Sequence, residues 1–132
     1  MNKITKLLEL IAFLDNENET KPTVSGESSQ ITNRYLHQDV IVRSYSAGNH
    51  FGVLDIYDAK NGIVVLKNAR RIWKWNTDKG ISLSEIATYG IVQGNSKICT
   101  MLPEQIIAEV DEILPCSETA AQSLRSAEVY KP

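Results

Sequence analysis

The chain is poor in the residues that most catalysts and nucleic-acid binders depend on. Its 132 residues hold two cysteines and two histidines, and 14 Lys and Arg stand against 16 Asp and Glu for a net charge of −2. Proteins that work by neutralising many phosphates carry a basic surplus, so non-specific nucleic-acid binding is disfavoured as the main task. Cys99 and Cys116 stand alone in the sequence, with only His37 and His50 to join them, and no C-x-x-C pair exists. That pattern does not supply a structural zinc site, and it reads as small core residues with reduced thiols in a cytoplasmic protein. The apolar stretch over 7–14 is short and interrupted by Glu9, without the small-residue site of a signal peptide. No stretch is long enough to span a bilayer. There is no G-x-S-x-G, H-E-x-x-H, P-loop or G-x-G-x-x-G. A lone histidine with scattered serines does not make a triad. The expectation is a protein that is not an enzyme and needs no metal or cofactor.

What is present is an ordinary globular composition, 42% hydrophobic and 23% charged, in the length of one domain. A chain of this size buries a modest core, so association would help it. Residues 1–16 read as an amphipathic helix: Ile4, Leu7, Ile11 and Leu14 fall at a and d spacing, and Leu8, Leu10 and Phe13 widen the stripe. So short a helix is marginal in water, and self-association is the favoured way to cover its face. Residues 17–37 have linker composition, with Pro22, Gly26 and Ser28-Ser29. Residues 38–132 carry the strand signals of a ligand-binding core. The fold class expected is α+β: a mostly antiparallel β core, short flanking helices and an N-terminal oligomerisation helix.

Strands are expected over Asp39–Tyr45, Phe51–Tyr57, Ile63–Leu66 and Arg70–Trp75, with a hairpin turn at Asn61-Gly62. In extended geometry Arg71, Trp73 and Trp75 share one face, and Arg70, Ile72 and Lys74 the other. Ser82 and Glu85 form an S-x-x-E capping box for a short helix over 82–89, with Gly90 as its stop. Ser96–Leu102 reads as a strand. Ile106–Leu114 fits both periodicities; we assign it as a strand that pairs back on Lys97–Leu102 through a tight Pro103-Glu104 turn. Ser117 caps a last helix near 118–127.

One constellation carries chemistry. The run Asn68 to Trp75 holds both tryptophans of the chain and two arginines. From Lys60 to Lys79 six basic residues face one acid, Asp78, whereas Glu104–Glu128 has six acids and one base, Arg125. Arginine forks bind phosphate bidentately and aromatic faces stack on bases. Arg43 and Tyr45 add a second fork and ring on a neighbouring strand. These types suit an anionic, nucleotide-like ligand. The competing explanation is weighty: strand tryptophans are commonly core, arginines beside them commonly stack, and the pair also marks protein interfaces.

The run Val42-Arg43-Ser44-Tyr45-Ser46-Ala47-Gly48-Asn49-His50-Phe51-Gly52 resembles the V-R-T-Y-S-A-G-V-H-x-G opening of a family of small phage and prophage proteins known as a domain of unknown function. Val65–Trp75, Ser82–Ala87 and Ile113–Glu118 resemble its later blocks, so the similarity spans roughly 39–130. The connection Trp75–Ser82 is longer than the family's W-x-G-A-x-S-L-S. This group is similar to the phage anti-Thoeris sponges, which hold a cyclic ADP-ribose signal of bacterial TIR-domain defence enzymes without degrading it. Some also hold cyclic oligonucleotides, and they assemble as dimers or higher oligomers. The resemblance implies a counter-defence homo-oligomer in the host cytoplasm. Combined with the residue types, it points to Arg43, Tyr45, His50, Asn68, Arg71, Trp73 and Trp75 as ligand-binding. Arg43 and Arg71 would clamp a pyrophosphate, Trp73 or Trp75 would stack adenine, and Asn68 and Tyr45 would take ribose or base edges. Two alternatives compete: an interaction module that docks on and inhibits a host enzyme, and a single-stranded nucleic-acid binder.

Overall fold

The computed structural model describes residues 34–80 and 82–132. The expected N-terminal helix and most of the linker lie outside them. Val40-Ile41-Val42 is an unbroken apolar run, the signature of a strand buried on both faces. It forms the middle of β1 (Asp39–Ser44), and all three side chains are buried. β2 (Gly48–Asp58) and β3 (Ile63–Lys74) follow, joined by a turn in which Gly62 takes the left-handed φ of 65°. Asp58 organises that turn by accepting from the Asn61 backbone and side-chain amides at 3.2 and 2.8 Å. Helix α1 (Leu83–Tyr89) and a short 3-10 turn lead to β4 (Lys97–Ile107), β5 (Val110–Pro115) and helix α2 (Glu118–Arg125). The sheet is antiparallel in the order β4-β3-β2-β1-β5. The expected α+β class with a mostly antiparallel core is what forms. No helix among the described residues is long and apolar enough to cross a membrane.

The expected pairing of Ile106–Leu114 is overturned. β4 runs straight through Pro103 and Glu104, and β5 pairs with β1 instead, Ile41 opposite Leu114 and Val42 opposite Ile113. Pro103 reads as a turn in sequence, yet an outer strand tolerates a missing N–H on its solvent side. The likewise expected break between Ile63–Leu66 and Arg70–Trp75 is absent. β3 is one strand with a bulge at Asn68, whose φ is 51°, so that Lys67 pairs with Val53 and Arg70 with Phe51.

β4 and β5 are the two outer strands, yet only Ala108 and Glu109 separate them. Laid flat, the edges of five strands would stand roughly 19 Å apart. A two-residue link reaches at most about 11 Å. The sheet therefore curls until its edges meet at this corner. Ser44 Oγ donates to Ala108 O at 2.6 Å, Tyr45 N to Glu109 O at 3.1 Å and Val110 N to Gly62 O at 3.0 Å, fastening the curl.

Each face has its own core. One packs Ile41, Phe51, Ile72 and Ile98 against Leu83, Ile86 and Leu124 of the helices. The other gathers Val40, Val42, Leu54, Val64, Leu66 and Ile107 inside the curl. Full burial of such side chains contributes about 1.5–3 kcal/mol each. Helix α2 is seated by Arg70, which is 3% exposed. Its Nη1 donates to Leu124 O and Ala127 O at 2.8 and 2.7 Å, and its Nε to Cys99 O at 2.8 Å. A cation thus occupies the negative end of the helix and satisfies carbonyls with no intrahelical partner. At the other end, Ser117 Oγ accepts from Ala120 N at 3.0 Å, as expected of an N-cap.

Candidate ligand-binding site

Strand alternation separates neighbours in the Arg70–Trp75 run. Arg70 and Ile72 are buried beneath the helices, while Arg71 and Trp73 are exposed on the opposite side. Trp73 is 61% exposed. Strand β3 ends at Lys74, so Trp75 leaves the alternation and packs, half-buried, against the helix-covered core beside Ile91. The two tryptophans therefore part.

Arg71 is held in place. It stands opposite His50 in the β2–β3 register, and its Nη1 donates to Ala47 O at 2.6 Å. His50 Nε2 lies 2.7 Å from the same carbonyl, so this nitrogen carries the proton and donates. Ala47 N in turn donates to Ser44 Oγ at 3.1 Å. The turn between β1 and β2 is thus tied to β3 through one oxygen. Gly48 follows it with φ 84°, a left-handed backbone that favours glycine at this turn.

His50 is fully buried, and its Nδ1 makes no hydrogen bond among the described residues. Its pKa is lowered, first by burial and then by the Arg71 charge, against the raising effect of the Ala47 bond and of nearby Gln105. The imidazole therefore stays neutral and sits behind the exposed surface, orienting Arg71 through Ala47.

Beyond Trp73 lies a group absent from the expected set. Lys97 Nζ sits 4.5 Å from the Trp73 ring centroid and 4.6 Å from that of Tyr130. The two rings are 6.0 Å apart and tilted by 33°. Each ring offers its negative face to the ammonium. Tyr130 reaches this place because the C-terminal tail runs alongside β4, with a parallel bridge between Ile98 and Val129 and a 2.9 Å bond from Tyr130 N to Ile98 O. Beside it an open depression of about 780 Å³ is lined by Gly94, Ser96, Glu128 and Lys131 among others.

The remaining expected residues are scattered. Tyr45 is 86% exposed in the turn that carries Ala47. Arg43 pairs across the sheet with Asn49, and Asn49 with Ile72, which sets it on the face opposite Arg71. It is engaged by Glu112 at 2.9 Å and Asp111 at 3.7 Å. Asn68 is exposed at the bulge, where its left-handed φ accounts for the residue type. The structure brings Arg71, His50 and Trp73 to one side and leaves Arg43 and Trp75 away from it. Lys97 was missed because only its position at the start of β4 puts it over Trp73. Tyr130 was missed because a terminal tail carries no pairing signal.

Cys116 is half-buried and its thiol is pushed up to about 12, mainly by desolvation, so it is not a thiolate nucleophile at neutral pH.

The geometry can be set beside known proteins. The family Domain of unknown function (DUF6948) matches residues 37–124. The chain belongs to this family. None of the curated proteins matches. The DUF6948 match takes in every strand and nearly all of α2, hence Arg71, Trp73 and Lys97, and stops short of Tyr130.

Proposed function

We propose that this DUF6948 protein is a non-catalytic binding protein whose ligand is a nucleotide-like anion held at the Arg71–Trp73 surface. The observation that carries the reading is the placement of an oriented guanidinium one strand alternation from an exposed tryptophan, with the Lys97 ammonium over that ring. Arg71 donates to a backbone carbonyl and pairs with no carboxylate among the described residues, so its remaining N–H groups suit phosphate oxygens. The resemblance to the anti-Thoeris sponges supports a cyclic ADP-ribose type signal as the ligand, with cyclic oligonucleotides as the related class. It likewise supports a role in sequestration without turnover, as a phage-encoded homo-oligomer in the host cytoplasm. An exposed surface of this kind becomes a water-poor pocket when a second copy covers it.

Thermal melting against cyclic ADP-ribose isomers and cyclic oligonucleotides tests this. A rise of several degrees is expected with one of them, with intact ligand recovered after heating and the shift lost in Arg71→Ala and Trp73→Ala. No shift across that panel removes the reading. A second reading draws on the exposed Met101, Leu102 and Ile106 of the outer strand β4, which favour a protein partner. It predicts a binary complex with a host enzyme that Leu102→Asp and Ile106→Asp abolish, with no response to nucleotides.

A further inference from the structure

The turn that joins β2 to β3 holds a reactive dipeptide under restraint. Asn61 is exposed, and Gly62 after it has no side chain to shield its backbone nitrogen. In an unrestrained chain that nitrogen attacks the carbonyl carbon of the preceding asparagine side chain. Here the Asn61 side chain is held back along the chain, toward Asp58. Its Nδ2 donates to Asp58 Oδ2 at 2.8 Å, and its backbone N donates to Asp58 Oδ1 at 3.2 Å. The bond to a carboxylate fixes the carboxamide and pushes electron density onto its nitrogen. That makes the carbon a poorer electrophile and the nitrogen a poorer leaving group. Gly62 is held as well: its φ is 65°, and its carbonyl accepts from Val110 N at 3.0 Å, at the corner between β4 and β5.

We propose that Asn61 is a deamidation site, that Asp58 keeps it closed in the folded protein, and that its conversion loosens the corner where the sheet curls shut. In the reaction the Gly62 nitrogen gives its proton to solvent base and bonds to Asn61 Cγ. The Cγ–Nδ2 bond breaks, and Nδ2 leaves as ammonia with a proton from solvent. Water then opens the cyclic imide at either carbonyl, giving aspartate or isoaspartate at 61. One water is consumed and one ammonia released, with no change of oxidation state. Either product suits the turn badly. The new carboxylate has no donor for Asp58 Oδ2 and sets like charge against it. Isoaspartate also adds a main-chain carbon ahead of Gly62, which draws the Gly62 carbonyl away from Val110 N. Each local opening of the turn therefore exposes the chain to a step that favours further opening.

Incubation of the full chain in mildly alkaline buffer, with mass spectrometry of the tryptic peptide Asn61–Lys67, tests this. The peptide is expected to convert readily when the protein is held in urea and slowly when it is folded. Folded Asp58→Ala should convert roughly tenfold faster than the folded parent, the factor that one charge-assisted hydrogen bond is worth in a barrier. Asp58→Asn, which keeps an acceptor for the Asn61 backbone, should fall between them. Asn61→Asp, which carries one of the two products, should melt several degrees below the parent. No conversion at this peptide even in urea means that Asn61 is not a deamidation site. Equal rates for the parent in urea and in native buffer mean that the fold gives no protection, and this comparison needs no variant to fold. Folded Asp58 variants that convert as slowly as the parent remove Asp58 from the role. An Asn61→Asp protein that melts with the parent overturns the loosening of the corner.

Discussion

Arg70 and Arg71 are adjacent and chemically identical, and one step of strand alternation gives them opposite work. Arg70 lies under α2 with carbonyls at each nitrogen that bonds, so Arg70→Met removes several hydrogen bonds and leaves buried acceptors behind. The cost expected is about 2–4 kcal/mol in denaturant unfolding, against less than about 1 kcal/mol for Arg71→Met, which loses one exposed bond. His50 adds a pH dependence. Its ordinary pKa is 6.5 and the folded value is lower. As pH falls below 6.5 the unfolded chain takes a proton that the folded chain refuses. The stability contributed by neutral His50 is whole above that pH and is lost on acidification toward the folded pKa, at no more than about 1.4 kcal/mol per pH unit. Urea unfolding of the parent and His50→Gln across this window should show a shallower acid limb in the variant, whose amide still donates to Ala47 O. Equal slopes would mean that the buried imidazole titrates normally.

At the scale of elements, two non-glycine residues hold left-handed backbone where the sheet changes course. Asn68 makes the β3 bulge at φ 51°, and Glu109 makes the β4–β5 corner at φ 53°. Asparagine tolerates that region, whereas glutamate is strained there. Glu109→Gly should therefore stabilise the protein by up to about 1 kcal/mol, and Glu109→Val should destabilise it by more, read from thermal melts. These same positions mark where sequence patterns stop being informative. The hairpin at Asn61-Gly62, the Val40-Ile41-Val42 strand, the α1 segment and the Ser117 cap are local signals, and each forms where its residues indicate. Even there, the capping pair uses different bonds from those expected, since the Ser82 hydroxyl meets the Glu85 carboxylate and does not cap a backbone amide. The corner at Ala108-Glu109 has no turn residue, and β5 pairs with a strand far back in the chain, so local periodicity cannot place it. The Arg71 and Trp73 half of the candidate site follows from alternation on one strand. Its Lys97 and Tyr130 half exists only through the β3–β4 pairing and the tail bridge.

Across the whole molecule, charges segregated along the chain are interleaved by the curl. Lys67 of the basic stretch meets Glu104 of the acidic one at 2.6 Å, and Arg43 meets Glu112 across β1 and β5. Exposed pairs of this kind are screened by solvent and add little to stability, so their work is to blunt the outer strands more than to stabilise the fold. The two cores draw their buried apolar side chains from Val40 to Ala127. We propose that the apolar stripe of Ile4, Leu7, Ile11 and Leu14 serves association between copies, because so wide a stripe in so short a segment calls for a partner surface. A chain that begins at Thr32 should melt within a few degrees of the full protein and sediment at a lower mass. If the site is completed by a second copy, the shortened protein should also bind the same nucleotide more weakly, with Arg71 and Trp73 unchanged. Retention of the parent's assembled mass would move the association surface to the β core, where the exposed Met101, Leu102 and Ile106 of β4 are the residues to substitute next.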